Sequence, residues 1–170
     1  MLPDGFETGE VNDSKKMDES ARNREYERIT AEAAFGIGII ESDIIDKINI
    51  LRATHMAMRA ALENINAAYD FILVDGLKVQ GFLVPSKAII KGDSKSISIA
   101  AASIIAKVTR DRIMVEIHNE LPHYGFAKHK GYGTKLHLNA ICEYGICKYH
   151  RKTFSPISER LNQWALPGLE

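Results

Sequence analysis

Two aspartates stand where oxygen-ligand chemistry is possible. Asp75 closes the apolar run Phe71-Ile72-Leu73-Val74 and is followed by Gly76, the pattern of a buried strand that stops at a turn. A carboxylate at the C-terminal end of such a strand lies where open α/β sheets carry their sites. Asp93 lies in Lys91-Gly92-Asp93-Ser94-Lys95-Ser96, on a loop leading into a long helix. Two carboxylates brought together from separate elements suit Mg²⁺ or Mn²⁺, hard cations that take oxygen ligands and keep several waters. The plain alternative is that Asp75 is a turn residue and Asp93 a helix-entry residue. Asp111, between Arg110 and Arg112 inside the helix, reads as a structural ion-pair partner. His129, His137 and His150 with Cys142 and Cys147 raise zinc, but one Cys-x₄-Cys spacing without a second cysteine pair is a poor zinc pattern. Buried thiols and loop or substrate-side histidines are expected there.

The elements that must position these residues follow from periodicity. Residues from about Asp18 to Ala34 suit a polar surface helix with Asp18 as N-cap. Ala34 to Ile40 alternates Gly with Phe or Ile and reads as a strand, and Ser42 caps a helical turn through Lys47. Ile50 to Ile65 has helical apolar spacing. A weaker strand is expected at about Lys87 to Lys91, and the longest helix from Ser96 to about Leu121. Its early Ala and Ser residues would let another backbone approach closely. Pro122 to Gly133 reads as loop, Thr134 to Tyr144 as a helix, and the tail after Pro156 as a last helix. No repeat, low-complexity segment or linker breaks the chain.

At 170 residues and 45% apolar composition the chain fits one domain with a real core. Its apolar runs are far short of the roughly 20 residues that cross a bilayer. With no secretory leader pattern and no disulfide framework, the default compartment is the cytoplasm. The formal charge is zero, yet Lys87 to Lys152 holds twelve Lys and Arg against five Asp and Glu. Such a basic half could face a phosphate backbone or be an ordinary solvated surface.

Six segments carry a resemblance. Asn12-Asp13-Ser14-Lys15-Lys16, FILVDG (71–76), KGDSKSISIAAASIIAK (91–107), TRDR (109–112), GFAKHKGYGT (125–134) and HRKTFSP (150–156) are similar to successive blocks of the type 2 ribonuclease H family, ribonuclease HII, in order and with fitting spacing. The resemblance implies an α/β fold: a ribonuclease H-like mixed sheet flanked by helices over residues 1–120, then a helical, substrate-contacting part over 121–170. It implies a metal-dependent endonuclease that uses four carboxylates with Mn²⁺ or Mg²⁺. Such an enzyme cuts the RNA strand of RNA–DNA hybrids and duplex DNA at embedded ribonucleotides, a step of ribonucleotide removal in DNA replication and repair. By the same resemblance Asp75 and Asp93 match the third and fourth carboxylates. Tyr132 matches the tyrosine that stacks at the RNA–DNA junction, and Lys15 lies in a block that contacts the substrate backbone. Without the resemblance Tyr132 reads as a packing residue and Lys15 as a surface lysine. A monomer with no membrane association is expected.

The family's first two carboxylates form an Asp-Glu pair on the first strand, followed by a Gly-Arg-Gly block, and neither occurs here. Asp18-Glu19 is the one Asp-Glu pair, and it starts a polar helix. In the family's sheet order 3-2-1-4-5, absence of strands 1 and 2 would separate the Ala34 to Ile40 strand from the Phe71 to Asp75 strand. The sequence therefore reads as incomplete, a fragment or one with a misplaced start. A catalytically inactive nucleic-acid-binding fragment of the family is the alternative to the endonuclease.

Overall fold

The computed structural model describes residues 1–159. Asp18 begins the first helix, α1 (Glu19–Glu32), by accepting the Ala21 N–H at 2.8 Å, which satisfies one of the orphan donors of the first turn. Two helices follow, α2 (Ser42–Ile48) and α3 (Ile50–Glu63). Asn49 joins them at φ 69°, and its Oδ1 accepts the Arg52 N–H. A parallel pair, β1 (Ile72–Asp75) and β2 (Ser86–Ile89), comes next, with Asp75 opposite Ile89. The long helix α4 (Ile97–Glu120), the short α5 (Phe126–His129) and α6 (Lys135–Tyr144) complete the described elements. The architecture is α/β, with far more of the described residues in helices than in strands.

Three apolar clusters hold these elements together. Ile29 of α1 packs on Ala101, Ile104, Ile105 and Val108 of α4, with Phe35 and Ile37 at the margin. Ile117, farther along α4, meets Tyr124, Phe126, Ala140, Ile141 and Ile157. Ile72, Val74 and Val79 pack under Met58 and Leu62 of α3. At 24 residues and about 1.5 Å per residue, α4 is the spine that two of these clusters share. No helix among the described residues is long and apolar enough to cross a membrane.

Several expectations change. Residues 34–40 form no strand. A Cβ at Gly36 or Gly38 would collide with the carbonyl oxygen of Ala61 or Ala57, and Asn64 Nδ2 donates to the Ile37 carbonyl at 2.8 Å. The alternating glycines thus let the backbone lie on α3, which is where a close backbone approach is found. Ser42 is not the cap of α2. That place belongs to Glu41, while Ser42 Oγ donates to the Lys148 carbonyl. The expected loop 122–133 contains a 3₁₀ turn at Pro122–Tyr124 and α5. β1 is buried on one face only: Ile72 and Val74 face inward, while Phe71 and Leu73 stand exposed, as do Leu77 and Ile90. Of the helix expected after Pro156, residues 157–159 are helical and the rest lies outside the described residues.

Candidate active site and nucleic-acid interface

The parallel pairing puts the ends of β1 and β2 on one edge. The ladder continues one residue beyond Asp75, where the Gly76 N–H donates to the Ile89 carbonyl at 3.0 Å. After β2 the chain reverses through Lys91, at φ 55°, into the 3₁₀ turn Gly92–Ser94 and then α4. This reversal aims the Gly92 N–H at Asp75, whose Oδ1 accepts it at 2.7 Å. A Cβ at Gly92 would lie 2.6 Å from Ile99 Cδ1 and 3.3 Å from Asp75 Oδ1, so the close approach needs glycine. Ser94 Oγ donates to the Lys91 carbonyl and Lys95 Nζ to the Ile90 carbonyl, which brace the turn. Asp93 sits beside Gly92, just ahead of the N-terminus of α4, where the helix dipole favours negative charge.

The structure therefore brings Asp75 and the Asp93 turn together. As a donor set the two carboxylates fit a hard divalent cation, which needs one or two protein carboxylates and fills its remaining positions with water and phosphate oxygens. Among the described residues no group of three or more His, Cys, Asp or Glu side chains is arranged to hold a metal.

Asp111 stands apart from this edge. Its Oδ1 lies 2.8 Å from Lys107 Nζ, the ion pair expected from its setting. It lines an open groove of about 390 Å³ between α1 and α4, together with Arg22, Arg112 and Lys130.

Tyr132 lies in the loop after α5, beside the middle of α4. The residue is 58% exposed, with Lys107 Nζ 5.5 Å and Arg110 Cζ 5.3 Å from the ring centroid, within cation–π range. Lys107 and Arg110 follow Ile97 by ten and thirteen residues, roughly 15 to 20 Å of helix rise. Arg151 is drawn into the same region: burial, and then the charge of Arg110, lowers its guanidinium below the ordinary pKa. Cations gathered around an exposed aromatic ring make a surface for an anionic, stackable ligand. The sequence places Lys107 and Arg110 in the basic half without tying them to Tyr132, because only the fold brings them to its ring.

Lys15 is exposed on a turn in which Asp13 Oδ1 accepts its N–H at 3.0 Å. The turn is docked on α1 by Arg22, which donates to the carbonyls of Ser14 and Met17. Cys142 is exposed and Cys147 half-buried, so the expected buried thiols are not found. His129, His137 and His150 are all buried and lie together.

A family model described as Ribonuclease HII matches residues 4–157. Ribonuclease HII of Bacillus cereus (strain Q1) is 49% identical over 164 residues, covering 96% of this chain and 63% of that protein. Ribonuclease HII of Bacillus anthracis (strain CDC 684 / NRRL 3495) is 48% identical over the same shares. The chain thus spans about 63% of the length of these curated relatives. The crystal structure of the ribonuclease H2 from Pyrococcus horikoshii OT3 superposes with a TM-score of 0.75 at 21% identity, covering 92% of this chain and 82% of that one, a likeness of fold. With the family match running through nearly all of the described residues, the chain belongs to the ribonuclease HII family.

Proposed function

We propose that this chain carries the chemistry of a metal-dependent endonuclease acting on RNA–DNA hybrids and on duplex DNA with embedded ribonucleotides. The observation that carries the reading is the Asp75–Gly92 bond, which holds one carboxylate against the turn that bears the other. Asp75 and Asp93 are the proposed metal ligands, for Mn²⁺ or Mg²⁺. Such ions, when bound, supply activation of the attacking water and stabilisation of the leaving oxygen. In the hydrolysis, water oxygen bonds to phosphorus as the P–O3′ bond breaks, leaving a 3′-hydroxyl and a 5′-phosphate. The chain's own residues hold the substrate. Tyr132 stacks beside the ribonucleotide, where an aromatic face meets a sugar carrying a 2′-hydroxyl. Lys107 and Arg110 neutralise phosphate next to it, and Lys15 contacts the backbone. Residues 1–120 form the catalytic core and 121–170 the substrate-contacting part, in a cytoplasmic, monomeric protein.

A second reading is favoured by the donor set itself, since among the described residues no group of three or more metal-ligating side chains gathers at the sheet edge. It is a nucleic-acid-binding member of the family without catalysis. A cleavage assay on a duplex with one ribonucleotide, run separately with Mg²⁺ and Mn²⁺ beside an Asp75→Asn control, decides between them. Metal-dependent incision that disappears in the control supports the enzyme. Salt-sensitive binding without incision supports the second reading, because phosphate neutralisation releases counterions.

A further inference from the structure

Three buried histidines lie behind Tyr132, and their tautomers follow from donors that cannot be reversed. The Gly131 N–H donates to His129 Nδ1 at 3.2 Å, so His129 carries its proton on Nε2 and donates it to the Tyr124 carbonyl at 2.8 Å. The Cys147 N–H donates to His150 Nδ1 at 2.9 Å, which puts the His150 proton on Nε2. That proton is donated to His137 Nε2 at 3.0 Å, so His137 in turn is protonated on Nδ1 and donates to the Tyr132 carbonyl at 3.0 Å. The chain runs in one direction, from the Cys147 backbone to Tyr132, with every imidazole neutral. Its rings stack, His129 on His137 at 4.3 Å and His137 on His150 at 5.2 Å. Each histidine is only 5–6% exposed.

Tyr132 is thus gripped by its main chain while its ring stays in water. Its N–H donates to the His129 carbonyl, and its carbonyl accepts from Thr134 N–H as well as from His137. Apolar side chains could fill this space equally well, whereas a fully satisfied polar network fixes one geometry. We propose that His137, oriented by His150, is a positioning residue that sets the backbone from which the Tyr132 ring reads a ribonucleotide. The proposal rests on the role of Tyr132 given under Proposed function.

The test is a double-mutant cycle on the full chain. Binding of a labelled duplex with one ribonucleotide is compared by fluorescence anisotropy with binding of the same duplex in all-DNA form. Tyr132→Ala and His137→Leu are each expected to cost about tenfold in ribonucleotide preference, as loosening of a supporting shell does. The double variant should lose no more than either single one. His137→Asn, whose side-chain amide N–H can replace Nδ1–H, should restore most of the preference. An equal loss from His137→Leu in both the wild-type and Tyr132→Ala backgrounds overturns the positioning role, as does an unchanged preference in His137→Leu. If His137→Leu does not fold, His137→Asn is compared with His137→Gln, which reaches His150 but not the Tyr132 carbonyl; equal preference in the two overturns the proposal. No ribonucleotide preference in the wild type, or one untouched by Tyr132→Ala, instead overturns the reading of Tyr132 itself.

Discussion

Asp75 Oδ1 accepts the Gly92 backbone N–H at 2.7 Å, so the end of one strand and the turn after its neighbour are locked through a single side chain. Replacing Gly92 puts that lock under direct steric load. Gly92→Ala would drive a methyl group against Ile99 Cδ1 and crowd Asp75 Oδ1. Overpacking of this kind costs about 1–3 kcal/mol, and the displaced turn carries Asp93 with it. Denaturant unfolding should show the loss, and incision should fall by more than the stability change explains. Wild-type incision with lowered stability would separate the turn from the site.

Asp75→Asn separates charge from shape. The amide oxygen can still accept from Gly92, so the folded state should lose under about 1 kcal/mol. Charge for a divalent cation is lost. Thermal unfolding with and without Mn²⁺ checks this: the wild type should gain a few degrees by ligand linkage and the variant none. An equal shift in both would place the ion elsewhere.

Arg110→Gln removes one of the two cations at the Tyr132 ring. Affinity for duplex should fall whatever its sequence, and the slope of log K against log salt should lessen by about 1. A titration between 50 and 200 mM salt reads that slope. If it does not change, Arg110 neutralises no phosphate.

The histidine chain makes stability depend on pH. Burial, and then the proximity of His137, pushes His150 from its ordinary 6.5 down to about 4, and burial lowers His137 as well. Between those values the unfolded chain binds protons that the folded chain refuses. Stability is therefore full above about pH 6.5 and falls as pH drops toward 4, by up to about 3 kcal/mol from His150. Unfolding curves between pH 7.5 and 5 should show the decline, and His150→Asn should flatten it. The same slope in the variant would remove His150 as the cause.

How far the sequence could be read depends on the range of the interactions involved. Helices with their own caps and periodic faces were legible: Asp18 and Thr134 cap α1 and α6 as local chemistry requires. The Phe71 to Gly76 run and the Gly92-Asp93 turn were legible for the same reason. Residues 34–40 were not, because glycine alternation fits a strand and also fits a backbone lying on a helix, and only Ala57 and Ala61 of α3 decide between them. The site was read mainly through the family's blocks. What joins its parts is long-range and left no local trace. Asp75 and Gly92 are 17 residues apart, and His137 and His150 are 13 apart. Nothing in the spacing of the histidines foretold that their ring nitrogens would pair.

The half-covered β1 gives the molecule a wet side and a dry side. On the wet side Phe71, Leu73, Leu77 and Ile90 meet water directly, and the two-stranded sheet offers backbone groups at its outer edges. Such a wall favours adhesion, to dyes, to vessel surfaces and to itself, over the smooth colloidal behaviour expected from a quarter of residues being charged. Concentrated solutions should therefore age: sedimentation would broaden with protein concentration and time, and added salt would not reverse it, since the attraction is apolar rather than ionic.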